Sequence, residues 1–368
     1  MYMISLFSLF LGFNASADLA PPCVELLQRM PKNLAEGLKG GVSQKSPPFS
    51  SRTLALLAEP IPMPILKLEL DRKAEVLLDQ SPDRNDKGLV VYVALGRDIP
   101  NTLNELGRLR EETFRTLNEG SGLARDIDRF DPHYLQLVVW DKRKGEITGA
   151  ERMGQIDKIM ETLGAEGLYS NTLFELGDVV SELYRHHTLE VGRSFVRPEY
   201  QKGLTLFVMW LAKARYLSNN PQYTNFAGPL SIPGEYNDLS KALVMGYLLR
   251  EFKHPQAEKV TPRVPPTLNT GFTDLQLQQL LSHIHSIDDL QNAVRISEKQ
   301  PLLKLPPFIK IYLEVRVRFF AFNWDEDFNT LDAFIGNNLV ECDFEVQAKY
   351  MGAERARAYR LHHGLCAE

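Results

Sequence analysis

The chain has 368 residues, 44% hydrophobic and 24% charged, with a formal net charge of −5. That is the make-up of a soluble globular protein large enough for one big domain with an appendage, or for two modest domains. The lack of a pervasive positive field argues against nucleic acid as a partner. Three scattered cysteines, Cys23, Cys342 and Cys366, rule out a disulfide framework or a zinc site.

In chain order, Ile4 to Phe13 is an apolar run followed by Ala15-Ser16-Ala17, as at a signal-peptidase site, but no basic residue precedes Arg29. Residues 1–17 therefore read either as an export or tethering segment or as an unprocessed N-terminus. From 18 to about 60 the chain is rich in Pro, Ser, Gly and Lys and reads as a loose arm. The whole stretch 18–87 resists assignment. A strand is expected over Leu89–Leu95 and a helix over Asn101–Asn118, capped by Asn101 or Thr102. Strands Tyr134–Trp140 and Glu146–Met153 flank a charged turn. Then follow strand Thr188–Val196, helix Leu204–Leu217, strand Thr224–Ile232 and helix Asp238–Leu249. This alternation makes 88–254 an α/β (α+β) core around a mixed sheet.

Past the Pro-rich boundary at Thr261–Pro266, residues 255–368 form an α+β extension. Helical patterns cover Thr273–His285 and the segment from Ser297. Val315–Phe322 suits a sheet edge or an acyl-chain wall, with plain packing the blander reading. Asn323–Asp327 reads as a turn, and Phe344–His362 as one closing helix.

Two groups of residues could carry chemistry. Phe195 and Val196 end a strand that turns through Tyr200, Gln201, Lys202 and Gly203 into a long helix, and the unpaired N–H groups at such a helix start suit a phosphate. Asp126, Asp128 and Asp131 form an acidic cluster that could accept a proton, orient an amine or hold arginines. It could equally be a solvated loop with capping aspartates. Arg110, Arg152 and Arg193 are candidate partners. Glu190 and Arg193 point to opposite faces of an extended strand unless a bulge intervenes. His186-His187 reads as a surface loop.

Taken together, Asp126-x-Asp128-x-Phe130-Asp131, Gly149-x-x-Arg152, Leu173-Phe174 and Leu189-Glu190-x-Gly192-Arg193-Ser194-Phe195-Val196-x-Pro198-Glu199-Tyr200 resemble the GNAT-fold N-acyltransferases. The nearest branch is the bacterial ornithine- and glycine-lipid synthases, often labelled "hemolysin-like", with acyl-homoserine-lactone synthases more distant. Gly228-Pro229-Leu230-Ser231-Ile232, Tyr236-x-Asp238, Asp325-x-Asp327-Phe328, Leu331-Asp332 and Tyr350-Met351-Gly352 extend the likeness over about 88–363. Glu151 departs from it, because a Tyr usually precedes that arginine, and the turn at Gly203-Leu204 is poor in glycine.

The resemblance implies a mainly antiparallel GNAT-like sheet flanked by helices and an acyltransferase of lipid biosynthesis. No cofactor is held. An acyl-phosphopantetheine thioester, on acyl carrier protein in preference to coenzyme A, would lie between the strands Glu190–Val196 and Thr224–Ile232. The amine of a small amino acid such as ornithine or glycine would attack it. The base would be one of Asp126, Asp128, Asp131 or Glu190, with Arg152 and Arg193 holding carboxylates. Because such donors are cytoplasmic, a cytoplasmic protein peripheral to the inner membrane face is expected. A lysophospholipid O-acyltransferase and a non-catalytic carrier-protein or lipid-binding protein are the alternatives.

Overall fold

A computed structural model describes residues 19–40, 54–79, 88–181, 185, 188–306 and 308–366. Their elements begin with α1 (Pro21–Gln28), α2 (Lys32–Gly40), α3 (Met63–Lys73), β1 (Glu75–Asp79), β2 (Leu89–Leu95), α4 (Pro100–Arg115), β3 (Leu135–Asp141) and β4 (Glu146–Gln155). Next come α5 (Ile156–Leu163), β5 (Phe174–Glu175), β6 (Thr188–Val196), α6 (Thr205–Asn219), β7 (Asn225–Pro233) and α7 (Asp238–Glu251). The remainder is β8 (Thr261–Pro262), α8 (Asp274–Ser282), α9 (Ile287–Glu298), α10 (Phe308–Glu314), β9 (Arg318–Asp325), β10 (Thr330–Gly336), α11 (Phe344–Met351) and α12 (Ala353–His362).

Eight strands make one sheet in the order β1-β2-β3-β4-β6-β7-β10-β9. Every neighbouring pair is antiparallel except β6–β7, so the expected mixed, mainly antiparallel sheet flanked by helices is present. Both faces are covered. Val91, Val93, Leu137 and Val139 pack beneath α6, and Val90, Tyr92 and Val138 pack with α3 and α4. Coverage on both sides is why β2 reads as an unbroken apolar run instead of an alternation.

The C-terminal extension completes this sheet. β10 pairs with β7 from Thr330↔Pro233 to Gly336↔Ala227, and β9 forms the edge, so the sheet runs across the boundary at 254.

Four local expectations are corrected. The stretch 18–60 is not uniformly loose: α1 and α2 bury Cys23, Leu26, Leu34 and Leu38 in the main core, and Cys23 lies against Asn292 of α9. Neither Asn101 nor Thr102 caps α4. Pro100 occupies its first turn, and the Glu69 carboxylate of α3 accepts from the N–H groups of Asn101 (3.1 Å) and Thr102 (2.6 Å). Asn323 to Asp325 belong to β9, and the turn follows them. The closing helix is two helices, broken at Gly352, whose φ of 84° lies outside the helical region. The 1–17 segment and His186-His187 lie outside the described residues.

Candidate active site

Three features shape the sheet where β4, β6 and β7 meet. First, one residue of β4, Glu151, faces two of β6, because Ala150 pairs with Phe195 and Arg152 with Gly192. This is a β-bulge, and Arg193 takes a φ of 53° within it. It brings Glu190 and Arg193 to the same face: Glu190 accepts from the Tyr169 N–H at 3.2 Å, and Arg193 donates to the Tyr169 hydroxyl at 3.1 Å.

Second, β6 and β7 pair only from Thr188↔Asn225 to Glu190↔Ala227, then part. Gly228 makes the parting, with a φ of 150° and so close an approach that a Cβ there would lie 2.2 Å from the Val191 carbonyl oxygen. Third, the loop carrying the aspartates is braced from several sides. Asp126 N–H donates to Gly107 O, Glu111 accepts from Ser121 and Gly122, and Ala55 and Ala58 donate to Gly122 and Ala124.

These supports assemble an ion-pair lattice. Arg110, 1% exposed, donates to both oxygens of the fully buried Asp131 at 2.9 and 3.3 Å. Arg152, also 1% exposed, meets both oxygens of Asp128 at 2.7 Å and lies 3.1 Å from Asp131. Arg193 reaches Asp126 at 3.1 Å and Asp128 at 3.6 Å. Burial alone would raise the Asp131 carboxyl, but Arg110 and Arg152 hold it well below the usual carboxylate range. Burial pulls Arg152 down, and Asp128 and Asp131 more than offset this, so it stays charged. The rings of Phe130, Tyr134 and Tyr169 surround its guanidinium at 5.9, 5.2 and 4.9 Å from their centroids. One of its nitrogens, Nη2, is buried without an acceptor.

Glu190 is tied differently, accepting from the Tyr134 hydroxyl, Tyr169 N–H and Ser170 N–H. Tyr134 and Tyr169 were not singled out from the sequence. Their hydroxyls meet partners far along the chain, and a lone Tyr at a strand start carries no local signal.

The expected phosphate residues lie at the other end of β6. Phe195 is buried in the α3–α4 core and Val196 is half-buried, so neither side chain joins the lattice. The N–H groups of Tyr200, Gln201 and Gly203 close onto the carbonyls of Arg197, Pro198 and Tyr200, and Lys202 is exposed. No side chain caps the start of α6, so the N–H groups of its first turn lack a side-chain acceptor. On the opposite sheet face Glu151 is buried against Lys213 (3.0 Å) and accepts from Ser194 of the bulge.

Cavities are small. One of about 30 Å³ lies under α6 and α11, lined by Trp210, Phe226, Cys342 and Tyr350, and one of about 10 Å³ lies beside Glu190, Ala227 and Phe334. Among the described residues no His/Cys/Asp/Glu group could hold a metal, and no helix is long and apolar enough to cross a membrane.

Residues 109–211, which span the aspartate loop, the bulge and the start of α6, match the acetyltransferase (GNAT) domain model. The glycine N(alpha)-acyltransferase of Bacteroides thetaiotaomicron is 29% identical over 231 residues, 60% of this chain and 67% of the relative. That of Phocaeicola vulgatus is 28% identical over 270 residues, 70% and 79% of the two chains. The L-ornithine N(alpha)-acyltransferase of Brucella abortus is 26% identical, covering 61% and 73%. A solved CoA-dependent acyl-homoserine lactone synthase is similar at a TM-score of 0.33 and 12% identity, over 76% of this chain and 90% of that one. Residues 109–211 thus carry a GNAT domain, and the chain as a whole is similar to bacterial glycine and ornithine N-alpha-acyltransferases.

Proposed function

We propose that this protein transfers a long-chain acyl group from the thioester of acyl carrier protein to the amine of a small amino acid, making an acyl-amino-acid lipid precursor. The observation that carries the reading is the parting of β6 from β7 directly beside the lattice of Asp126, Asp128, Asp131, Arg110, Arg152 and Arg193. A gap between strands leaves backbone N–H groups unpaired, which suits an extended pantetheine arm and the oxyanion formed at its carbonyl. The lattice fixes the charged groups around that gap, and Arg152 Nη2 suits the carboxylate of an amino-acid acceptor.

The turn before α6 supports a carrier-protein donor. Its N–H groups at Tyr200, Gln201 and Gly203 are spent within the turn, which favours the single phosphate of a carrier-protein arm over the pyrophosphate of coenzyme A. Cavities of the size present accommodate a water, not a fatty chain.

Lipid mass spectrometry of cells expressing the protein tests the reading. New amide-linked acyl-amino acids are expected. Ester remodelling of lysophospholipids without any amide would overturn it.

A further inference from the structure

The sheet face that carries Arg152 and Glu190 continues across β7 and β10. There Asp332, 3% exposed, pairs across the ladder with Ser231 of β7 and Asn323 of β9. Asp325, 6% exposed, ends β9 and accepts from the N–H groups of Asp327 and Phe328. That turn sets the Phe328 ring 4.3 Å from the Arg193 guanidinium. The C-terminal extension thus closes the far side of the same site, and it closes it with carboxyls that no Lys or Arg pairs among the described residues.

The carboxylates of the lattice already have partners. Asp128 and Asp131 are bound by Arg152 and Arg110, Asp126 by Arg193, and Glu190 already accepts three hydrogen bonds. Asp332 receives only hydroxyls, from Thr330 at 3.1 Å and from Ser231. A second observation points to a zwitterionic ligand on this face: the buried Arg152 Nη2 is without an acceptor, and its guanidinium lies against Tyr169, whose hydroxyl the acidic pair also influences.

Resting on the acyl-transfer reading above, we propose that Asp332 is the base that takes the proton from the acceptor's ammonium. One proton passes from nitrogen to the Asp332 carboxylate and on to solvent. The neutral amine bonds to the thioester carbonyl carbon, the C–S bond breaks with its electron pair going to sulfur, and a second proton leaves nitrogen for the thiolate. The products are an amide and a free thiol.

The surroundings poise the group for this. Burial and Asp325 push its carboxyl up to about 7, with Ser231, Thr330 and Arg193 working the other way. Tyr169 also faces the pair, and so does Glu119, which burial together with Asp332 and Glu235 raises to about 8. A base near the working pH is the efficient one.

The experiment compares the full-length wild type, Asp332→Asn and Asp332→Glu with a long-chain acyl–acyl-carrier-protein donor, using glycine and then hydroxylamine as acceptor. Hydroxylamine is already neutral at the assay pH and needs no base. For glycine, Asp332→Asn is expected to lower kcat/KM by about 10²–10⁴-fold, with the donor KM unchanged and Asp332→Glu recovering part of the rate. For hydroxylamine the loss is expected to stay within about tenfold of wild type, since that proton transfer is no longer required. Equal loss with both acceptors, or no loss with glycine, overturns the assignment while leaving acyl transfer intact. A wild type that makes no amide from either acceptor overturns the acyl-transfer reading and this one with it.

Discussion

On the β4 side of the site, Asp128 and Asp131 meet Arg110 and Arg152 at 2.7–3.3 Å. On the β10 side, Asp325 and Asp332 are buried, as Asp131 is, but face hydroxyls, backbone N–H groups and an aromatic ring. Both groups are carboxylates, yet burial has opposite consequences for them. Where arginines compensate the desolvation, as at Asp131, the charge is held and the carboxylate becomes fixed architecture. Where they do not, the charge is held at a cost and the proton becomes easy to exchange. A buried acid is thus informative only together with its partners.

The largest expected effect breaks the locked side. Arg152→Met leaves Asp128 and Asp131 short of a partner in a buried setting, and should destabilise the protein by about 3–5 kcal/mol in denaturant titration. Loss of only a few tenths would show that the lattice is dispensable.

The two sides should also differ in their pH windows. The lowered carboxyl of Asp131 contributes stability above its unfolded pKa, and that contribution is lost as acid protonates it. The raised carboxyl of Asp332 behaves in reverse. Its unfolded form releases its proton near pH ~4 and its folded form near pH 7, so stability declines between these values and the full penalty remains above. Asp332→Asn should therefore be more stable than wild type at about pH 8, by up to about 4 kcal/mol, and should lose that advantage near pH ~4. Equal pH dependence of the two proteins would contradict the contrast.

A smaller effect concerns the gap itself. Gly228→Ala sets a methyl against Val191 O and strains a positive φ, at a cost of about 1–3 kcal/mol. Acyl transfer should fall more than stability does, because the parting of β6 from β7 is what moves. The smallest is Glu69→Ala, which uncaps α4 and should cost about 1 kcal/mol with kcat nearly unchanged. A collapse of activity there would mean that α4 positions Arg110 more delicately than its packing indicates.

Much of the core was legible because its signals are local. β2 and β6 run over the residues that their apolar runs mark, and the bulge needed to bring Glu190 and Arg193 together is present between Gly192 and Phe195. The arm was misread because its Pro, Ser and Gly content hides short helices whose stability comes from α9, far along the chain. The cap of α4 was equally invisible, since Glu69 reaches it from another helix. Asp332 escaped notice as a site residue for a related reason. On β10 it is one acid among the apolar Leu331, Ala333 and Phe334, and only the pairing of β10 with β7 carries it to the site. An acid alternating with core residues on a strand is the signal that could have found it.

The most direct test is product analysis with purified protein, a long-chain acyl–acyl-carrier-protein and glycine or ornithine, run beside Asp128→Asn and Arg193→Ala variants checked for folding. An amide of the expected mass from the wild type, reduced at least about 10²-fold in both folded variants, is the predicted result. Folded variants that make the amide as fast as the wild type, or a wild type that makes none, would contradict the account.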